Sequence, residues 1–223
     1  DIFTDIPGKT SGIKHEVHLT SDIPVRQKCY RIPHKLKALV KAEIDTMLQM
    51  GIIEESDSPY GAPALIIEKS DGVSIRFCCD YRKINALTVF DAYPMPNAVE
   101  VMEDIGHSKF ISVLDLTRGY WQVPLSEDAK KKSAFTTPFG LFQWTVTPFG
   151  MKNSGATFQR LVDKTLKELS FARGFVDDLA IWSDSWPEHV RHCQNVFQRL
   201  REAGLTAKPV KCHMGQSHVT YLG

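Results

Sequence analysis

The sequence predicts an α+β fold, in which hairpins of short strands alternate with amphipathic helices. Apolar residues recur at a period of about 3.6 residues in several segments, and shorter apolar runs are separated by turn-forming residues. The order of elements is mixed, and most of the short runs pair as hairpins, which indicates the α+β class. The 223 residues, of which 43% are hydrophobic and 24% charged, suffice for one large domain or two subdomains.

The N-terminal part of the chain is predicted to be extended at first and then helical. Residues 1–33 combine scattered prolines and glycines with polar residues, which indicates an extended lead-in that is not a packed element. Residues 35–50 carry apolar side chains at helical spacing, and Gly51 ends the run. The apolar positions of this predicted helix are Leu36, Leu39, Val40, Ile44, Met47 and Leu48.

Paired apolar runs predict β-hairpins further along the chain. The predicted strands are 64–68 with 75–80, two arms within 133–147, and 171–176 with 179–183. Lys-Ser-Asp-Gly at 69–72 is predicted to form the first turn, and Pro-Phe-Gly at 138–140 lies in the second. A further strand is predicted at 110–116, and it ends on Asp115.

Further helices are predicted at 96–105, 153–169 and 187–203. Asn153 or Ser154 can cap the second of these helices. Its inward side chains are Leu161, Val162, Leu166 and Leu169. The third begins with Pro187 and is followed by Gly204, which matches the preferred ends of a helix. Its predicted inward stripe is Val190, Cys193, Val196, Phe197 and Leu200.

The net charge, the hydrophobic runs and the cysteine content exclude few classes of protein function. The net charge is +1, so composition does not by itself indicate a nucleic-acid-binding protein. No run of about 18 apolar residues occurs, so no membrane-spanning helix is predicted. The five cysteines are irregularly spaced and are predicted to be reduced thiols. A zinc site is disfavoured because the Cys-x-x-Cys spacing is missing from the residues that could form it, which are His189, His192, Cys193, Cys212 and His213.

Carboxylates occur among apolar residues, where packing alone would not place them. Asp115 ends an apolar strand, and Asp177 and Asp178 lie between two apolar runs. Burying a carboxylate is costly and adjacent like charges add repulsion, whereas a divalent cation removes both penalties. Such oxygen ligands suit Mg²⁺, and two ions can bind the attacking and leaving oxygens of a phosphoryl transfer. Taken singly, an Asp-Asp pair is also typical of a hairpin turn, and a strand-ending Asp of a cap.

Sequence motifs that occur in a fixed order over nearly the whole chain resemble those of a known family. Phe-Val-Asp-Asp lies at 175–178, and Leu-Asp-Leu-Thr-Arg-Gly-Tyr lies at 114–120. The other segments are Tyr-Arg-Ile-Pro (30–33), Gly-Ile-Ile-Glu (51–54), Ser-Pro-Tyr-Gly-Ala-Pro (58–63), residues 76–85, Tyr-Pro-Met-Pro (93–96), residues 147–160 and residues 211–223. In this order they resemble the motifs of reverse transcriptases, and the chain is similar to the polymerase of gypsy-like LTR retrotransposons.

The resemblance implies a right-hand polymerase fold with fingers and palm, an antiparallel palm sheet backed by helices, and the thumb absent. Residues 1–33 would be a lead-in, 34–109 mainly fingers with the entry to the palm, and 110–223 mainly palm. A fingers hairpin is expected near 125–147, and the chain is expected to end at the start of the primer grip.

The resemblance also implies roles for individual residues. Asp115, Asp177 and Asp178 would be the catalytic residues and would bind two Mg²⁺ or Mn²⁺ ions. The nucleotide-binding residues would be Lys69, Arg76, Tyr120, Phe149 and Gly150. Among these, the Tyr120 ring would exclude a 2′-hydroxyl group and so favour deoxynucleotides. The residues that contact primer and template would be Lys152, Phe175, Val176, Tyr221, Leu222 and Gly223.

The expected partners are an RNA or DNA template with its primer and deoxynucleoside triphosphates, with no membrane. The thumb, RNase H, integrase and protease domains of a polyprotein are expected outside this chain, so RNase H and protease activity are not expected here. An intracellular, cytoplasmic location within a virus-like particle follows from the same resemblance.

Two departures from the family pattern leave an alternative function open. Phe175 stands where the family has a tyrosine, and Arg173 interrupts the preceding strand. The alternative is an inactive retroelement relic that binds nucleic acid, against which the three intact carboxylates argue. An RNA-templated RNA polymerase is disfavoured by Tyr120, because a small residue would be expected there.

Overall fold

The computed structural model describes residues 1–69 and 74–219. The α-helices within these residues are α1 (Lys37–Gln49), α2 (Arg82–Leu87), α3 (Ala98–Ile105), α4 (Glu127–Lys132), α5 (Ser154–Thr165) and α6 (Trp186–Ala203). The strands are β1 (Ile53–Glu55), β2 (Ala62–Glu68), β3 (Ile75–Cys79), β4 (Phe110–Asp115), β5 (Phe135–Thr137), β6 (Gly140–Trp144), β7 (Ala172–Phe175), β8 (Asp178–Ser183) and β9 (His213–Gln216). Within the described residues, no helix is both long and apolar enough to cross a membrane. Helices and mainly antiparallel strands confirm the α+β class.

The chain divides into two compact units, each made of separate stretches of sequence. The first unit consists of Asp1–Ile13, Ala92–Val123 and Gly155–Gly223. The second unit consists of Lys14–Asp91 and Pro124–Ser154. The assignment of fingers and palm to stretches of the chain stays a prediction.

The second unit contains a five-stranded sheet in the order β1-β6-β5-β2-β3. Strands β2 and β3 pair in antiparallel register from Ala64 with Cys79 to Glu68 with Ile75, which confirms the first predicted hairpin. Its predicted turn residues Ser70, Asp71 and Gly72 lie outside the described residues. The antiparallel pair of β5 and β6 confirms the second hairpin, and β2 pairs with β5 in parallel.

The first unit contains a four-stranded antiparallel sheet in the order β7-β8-β4-β9, with helices on both faces. Side chains alternate between the faces of a strand. On one face Leu114 and Leu179 pack in a core with residues of α5 and α6. On the other face Val113 and Ala180 pack with residues of α3. The alternation explains why β4 and β8 are apolar at nearly every position.

The hairpin of β7 and β8 lies directly against α5, and Gly174 is the residue that permits this approach. A Cβ atom at position 174 would lie 2.2 Å from Val162 Cγ1 and 2.7 Å from Leu179 Cδ2. Both contacts are far shorter than a van der Waals separation, so any larger residue would push the hairpin away from α5.

The lead-in is extended, as predicted, but the prediction that it is not packed is wrong. Ile2, His15 and Val17 are buried, with 3%, 0% and 1% of their surfaces exposed. Backbone hydrogen bonds link Thr4 N–H to Ala207 O (3.1 Å) and His15 N–H to Pro124 O (2.9 Å). These partners are distant in sequence, so no local pattern could predict them.

Other differences concern short elements and one helix face. The elements that were not predicted are α2, α4, β1 and β9, each too short to show a clear period. In α6, Val190 was predicted to face inward but is 39% exposed, whereas His189 is buried. Its imidazole can be buried because Ser112 and Ser183 hydrogen-bond its two ring nitrogens, at 2.7 Å and 3.0 Å.

Replacing Gly174 with Ala should lower the free energy of unfolding by about 1–3 kcal/mol, because the added methyl overpacks the contact with Val162 and Leu179. Urea denaturation of the two proteins measures the difference. Gly12→Ala is the matched control, since a Cβ there meets its nearest atom at an ordinary 3.5 Å. Equal stabilities of Gly174→Ala and the wild type would contradict the close approach.

Candidate active site

The register of β4 and β8 brings two carboxylates to the same face of the sheet. Asp115 and Asp178 are Cα partners at the end of the pair, two residues beyond the partners Val113 and Ala180. Because side chains two residues apart share a face, both carboxylates leave the sheet on the side of Val113 and Ala180. Residues separated by much of the chain therefore become neighbours through strand pairing alone.

The third carboxylate, Asp177, lies in the two-residue turn between β7 and β8, since Phe175 pairs directly with Asp178. The other turn residue, Val176, has a φ of 54°, a left-handed conformation that is unfavourable for a β-branched residue. Hydrogen bonds hold the turn on both sides. Val176 N–H donates to Gln159 Oε1 (2.8 Å), and Leu116 N–H donates to Asp177 O (2.8 Å).

The three carboxylates line one cleft of about 650 Å³ in the first unit. Tyr120, Phe175 and Val176 line the same cleft. Its remaining lining residues are Val113, Val210, Lys211 and His213. The structure thus brings together every predicted site residue that the first unit contributes within the described residues.

The carboxylates in the cleft lie close enough together for their charges to raise the pKa values of Asp177 and Asp178. Burial and then the charges of Asp177 and Asp115 raise the pKa of Asp178 above its usual value of 3.8. Burial, with a contribution from Asp115, also raises the pKa of Asp177. Lys211 Nζ donates to Asp115 Oδ2 (2.9 Å), and this hydrogen bond raises the pKa of the lysine. The Lys211 ammonium group therefore faces Asp115 within the cleft.

The donor set fits a hard divalent cation in its chemistry, because three carboxylates supply only oxygen ligands. Their mutual repulsion and partial burial are the penalties that a cation removes. Within the described residues, however, no three His, Cys, Asp or Glu side chains are arranged around a common point. Binding of one ion by all three carboxylates would therefore require a change in their side-chain positions.

Tyr120 lies on the 3₁₀ helix Gly119–Gln122, half-buried at the edge of the cleft. Its ring meets the Phe158 ring edge-on, with centroids 5.8 Å apart. The missing side chain of Gly119 leaves room for the turn, since a Cβ there would lie 3.1 Å from Asp177 Cβ. Burial and then Asp177 raise the pKa of the Tyr120 phenol, so the ring presents a neutral hydroxyl.

The predicted triphosphate contacts Lys69 and Arg76 lie in the β2–β3 hairpin of the second unit. Lys69 is exposed just after β2, and its N–H donates to Ser74 O (2.9 Å). Arg76 is an exposed residue of β3, opposite Ile67. Both cations are exposed on the same hairpin, so they are available to an anionic ligand.

The segment with Phe149, Gly150 and Lys152 is tied to α2 of the second unit. Asn85 of α2 donates through Nδ2 to Gly150 O (2.8 Å) and accepts from Lys152 N–H (2.8 Å). The Phe149 ring is 50% exposed, whereas Lys152 Nζ donates to Thr88 O (2.8 Å). The ammonium of Lys152 is therefore engaged within its own unit. The predicted primer-grip residues Tyr221, Leu222 and Gly223 lie outside the described residues.

Two residues near the carboxylates were given no role by the sequence patterns. Lys211 begins the motif segment 211–223 but was given no role, because only the fold brings its ammonium to Asp115. For Gln159 the sequence did contain a signal. This residue shares a helix face with the buried Val162 and Leu166, at positions i, i+3 and i+7. A polar residue on an apolar helix face indicates a buried hydrogen-bond network.

Relatives of known sequence match over almost the whole chain. Residues 67–223 match the family described as reverse transcriptase (RNA-dependent DNA polymerase). The chain is 33% identical over 220 residues to the retrovirus-related Pol polyprotein from transposon 297 of Drosophila melanogaster. It is 32% identical over 220 residues to that from transposon gypsy of the same organism. Each match covers 96% of this chain but 21% of the polyprotein, so the chain spans about a fifth of these relatives.

Solved structures show the same likeness. A mutant of the prototype foamy virus protease–reverse transcriptase has a TM-score of 0.89 and 30% identity, covering 100% of this chain and 30% of that one. The foamy viral protease–reverse transcriptase in complex with an RNA/DNA hybrid has a TM-score of 0.90 and 26% identity, with the same coverage. These matches confirm the predicted resemblance and the fold.

Replacing Asp178 with Asn should stabilise the metal-free protein at neutral pH by up to about 1 kcal/mol, because it removes one of three crowded charges. The pKa of Asp178 is raised in the folded chain, so its penalty is absent below 3.8 and develops as the pH rises through the folded value. The gain should therefore be present at about pH 7 and vanish near pH 3.5. Urea denaturation at the two pH values measures it.

The exposed Asp22 of the second unit offers a matched control, since Asp22→Asn should leave stability nearly unchanged at both pH values. Asp115→Asn should give no gain, because it removes the partner of the Lys211 ammonium. A stabilisation by Asp178→Asn that persisted at acid pH would refute the electrostatic explanation.

Proposed function

Because the chain belongs to the reverse transcriptase family of RNA-dependent DNA polymerases, we propose that it adds deoxynucleotides to a primer on an RNA or DNA template. The observation that carries the proposal is the in-register pairing of Asp115 with Asp178, beside Asp177 and in a cleft lined by Tyr120. The matched relatives are Pol polyproteins, so the other domains of such a polyprotein would be partners of this chain. An intracellular location within a particle is part of the same proposal.

In this proposal Asp115, Asp177 and Asp178 hold two divalent ions, Mg²⁺ or Mn²⁺. The ions would neutralise the carboxylates and stabilise the charge that develops on the attacking and leaving oxygens of nucleotidyl transfer. The donor chemistry and the raised pKa values of Asp177 and Asp178 support this assignment. The Lys211 ammonium at Asp115 indicates that this end of the cleft binds positive charge.

The remaining residues of the cleft would position the nucleic acid and the incoming sugar. Phe175 and Val176 precede the paired aspartates and line the cleft, so the primer end would lie against them. Tyr120 presents a large, half-buried ring to the same cleft, and its bulk gives a steric reason to exclude a 2′-hydroxyl group. Edge-on packing of the Tyr120 ring against the Phe158 ring supports a fixed ring position.

The second unit would contribute the contacts to the triphosphate and the new base pair. Lys69 and Arg76 are exposed on one hairpin, and both can pair with phosphate oxygens. Phe149 and Gly150 would pack against the base pair, with Lys152 beside the primer and template. Nucleic acid as a ligand is supported by the foamy viral relatives, whose structures include complexes with dsDNA and with an RNA/DNA hybrid.

Primer extension tests the catalytic assignment. With a primed template, deoxynucleotides and Mg²⁺ or Mn²⁺, the wild-type chain should extend the primer, and Asp178→Asn should reduce extension by at least about 1,000-fold, because a catalytic carboxylate is lost. Asp184→Asn, an exposed site just after the other end of β8, should extend as the wild type does. Extension by Asp178→Asn at the wild-type rate would exclude the assignment. A wild-type chain that binds primer and template without extending it would favour the relic function.

Sugar selection tests the role of Tyr120. Tyr120→Val should increase ribonucleotide incorporation relative to deoxynucleotide incorporation by roughly 10–200-fold, because removing the ring opens space for the 2′-hydroxyl group. Tyr120→Phe keeps the ring and should retain the discrimination of the wild type. The measurement is the ratio of kcat/KM for the two nucleotides, and an unchanged ratio in Tyr120→Val would show that selection lies elsewhere.

A further inference from the structure

We propose that Gln159 is the positioning residue of the aspartate turn: its buried side-chain amide holds the backbone at Val176 and so fixes where Asp177 and Asp178 stand. Gln159 has no role among the residues assigned above, and it touches none of the three carboxylates that would bind metal. The inference rests on the proposed metal site, because it concerns how that site is held in place.

The Gln159 amide makes three hydrogen bonds inside the protein, which use both Nε2 donors and one lone pair of Oε1. The residue lies on α5 with 0% of its surface exposed. Its Oε1 accepts from Val176 N–H (2.8 Å), while its Nε2 donates to Gly174 O (2.9 Å) and to Asp163 Oδ1 (2.8 Å). One side chain therefore binds the hairpin on both sides of Phe175.

The three partners fix the orientation of the amide. They require a side chain that ends in both an acceptor and two donors. Val176 N–H is a donor and must face Oε1, whereas Gly174 O and the Asp163 carboxylate are acceptors and must face Nε2. A flipped amide would set donor against donor and acceptor against acceptor. A glutamate would lose both donors, and a methionine of similar length would leave buried polar groups without partners.

The turn needs such a restraint because its backbone is strained. A two-residue hairpin turn with positive φ at its first central position favours glycine there, yet this turn has Val176 at a φ of 54°. A β-branched residue in that region persists only when its surroundings over-determine it. Gln159 supplies the restraint on the Val176 side, next to the first of the paired aspartates.

The restraint extends to the surface of the first unit through Asp163. Tyr93 Oη donates to Asp163 Oδ2 (2.7 Å), and the other carboxylate oxygen accepts from Gln159. Asp163 is itself exposed, so its removal leaves the core packing intact, although one donor of the buried Gln159 amide loses its partner. Asp163→Ala removes one anchor of the amide and leaves the bonds to Val176 and Gly174 in place.

Binding of Mn²⁺ alone to the 223-residue chain, followed by the EPR signal of the free ion, tests the proposal. Gln159→Met should weaken Mn²⁺ binding about tenfold, as loss of an outer partner of metal ligands typically does. Asp163→Ala should show a smaller loss in the same direction. Thr165→Val is the matched control on the same helix, because it removes the buried bond from Thr165 Oγ1 to Leu161 O (2.8 Å) and should leave Mn²⁺ affinity unchanged.

A rescue variant separates positioning from a merely structural role. Val176→Gly removes the strain, since glycine adopts a positive φ without cost. Added to Gln159→Met, it should restore at least half of the lost Mn²⁺ affinity on a logarithmic scale. A general loss of packing around α5 would not be restored by a change in the turn.

Each outcome has a distinct meaning. Wild-type affinity in Gln159→Met overturns the positioning role while leaving the metal site intact, and so does the lack of rescue by Val176→Gly. If Gln159→Met does not fold, unchanged affinity in Asp163→Ala overturns it. Wild-type protein that binds Mn²⁺ no better than Asp178→Asn refutes the proposed metal site and the positioning role together.

Discussion

The first unit depends on the antiparallel pairing of β4 with β8, which continues in register from Phe110 and Ser183 to Asp115 and Asp178. Apolar side chains on both faces stabilise the middle of this pair by packing against helices. The same register forces two carboxylates together at its end, where burial and repulsion raise the pKa of Asp178. The packing of the sheet therefore maintains an electrostatic repulsion between carboxylates at this end of the strands, which a bound cation would relieve.

The strained backbone at Val176 adds a second unfavourable contribution to the repulsion between the carboxylates. Gly174 lets the hairpin approach α5 so closely that Val176 comes within hydrogen-bonding distance of Gln159. Helix α5 thus has a double role, because its apolar residues fill the core while one buried amide restrains the turn. Concentration of strain and like charge at one turn is typical of functional sites, where geometry matters more than stability.

Much of the fold and part of the site could be predicted from local patterns. Period and end signals predicted α1, α3, α5 and α6, and paired apolar runs predicted the hairpins, because these properties involve neighbouring residues. The short elements α2 and β9 were missed, and so was the burial of His15, because they depend on distant partners. The carboxylates stood out because acids rarely lie among apolar residues, whereas no local pattern indicated that Lys211 lies at Asp115.

The sequence by itself determined the α+β class, the helices and hairpins, the family resemblance and the identity of the three carboxylates. Only the tertiary structure decided that Asp115 faces Asp178, that Lys211 lies at Asp115, and that Gln159 restrains the turn. It also decided that Lys152 is engaged with the carbonyl of Thr88. The physical reason is range: propensity and periodicity act over a few residues, whereas strand register and side-chain hydrogen bonds join residues that the chain separates widely.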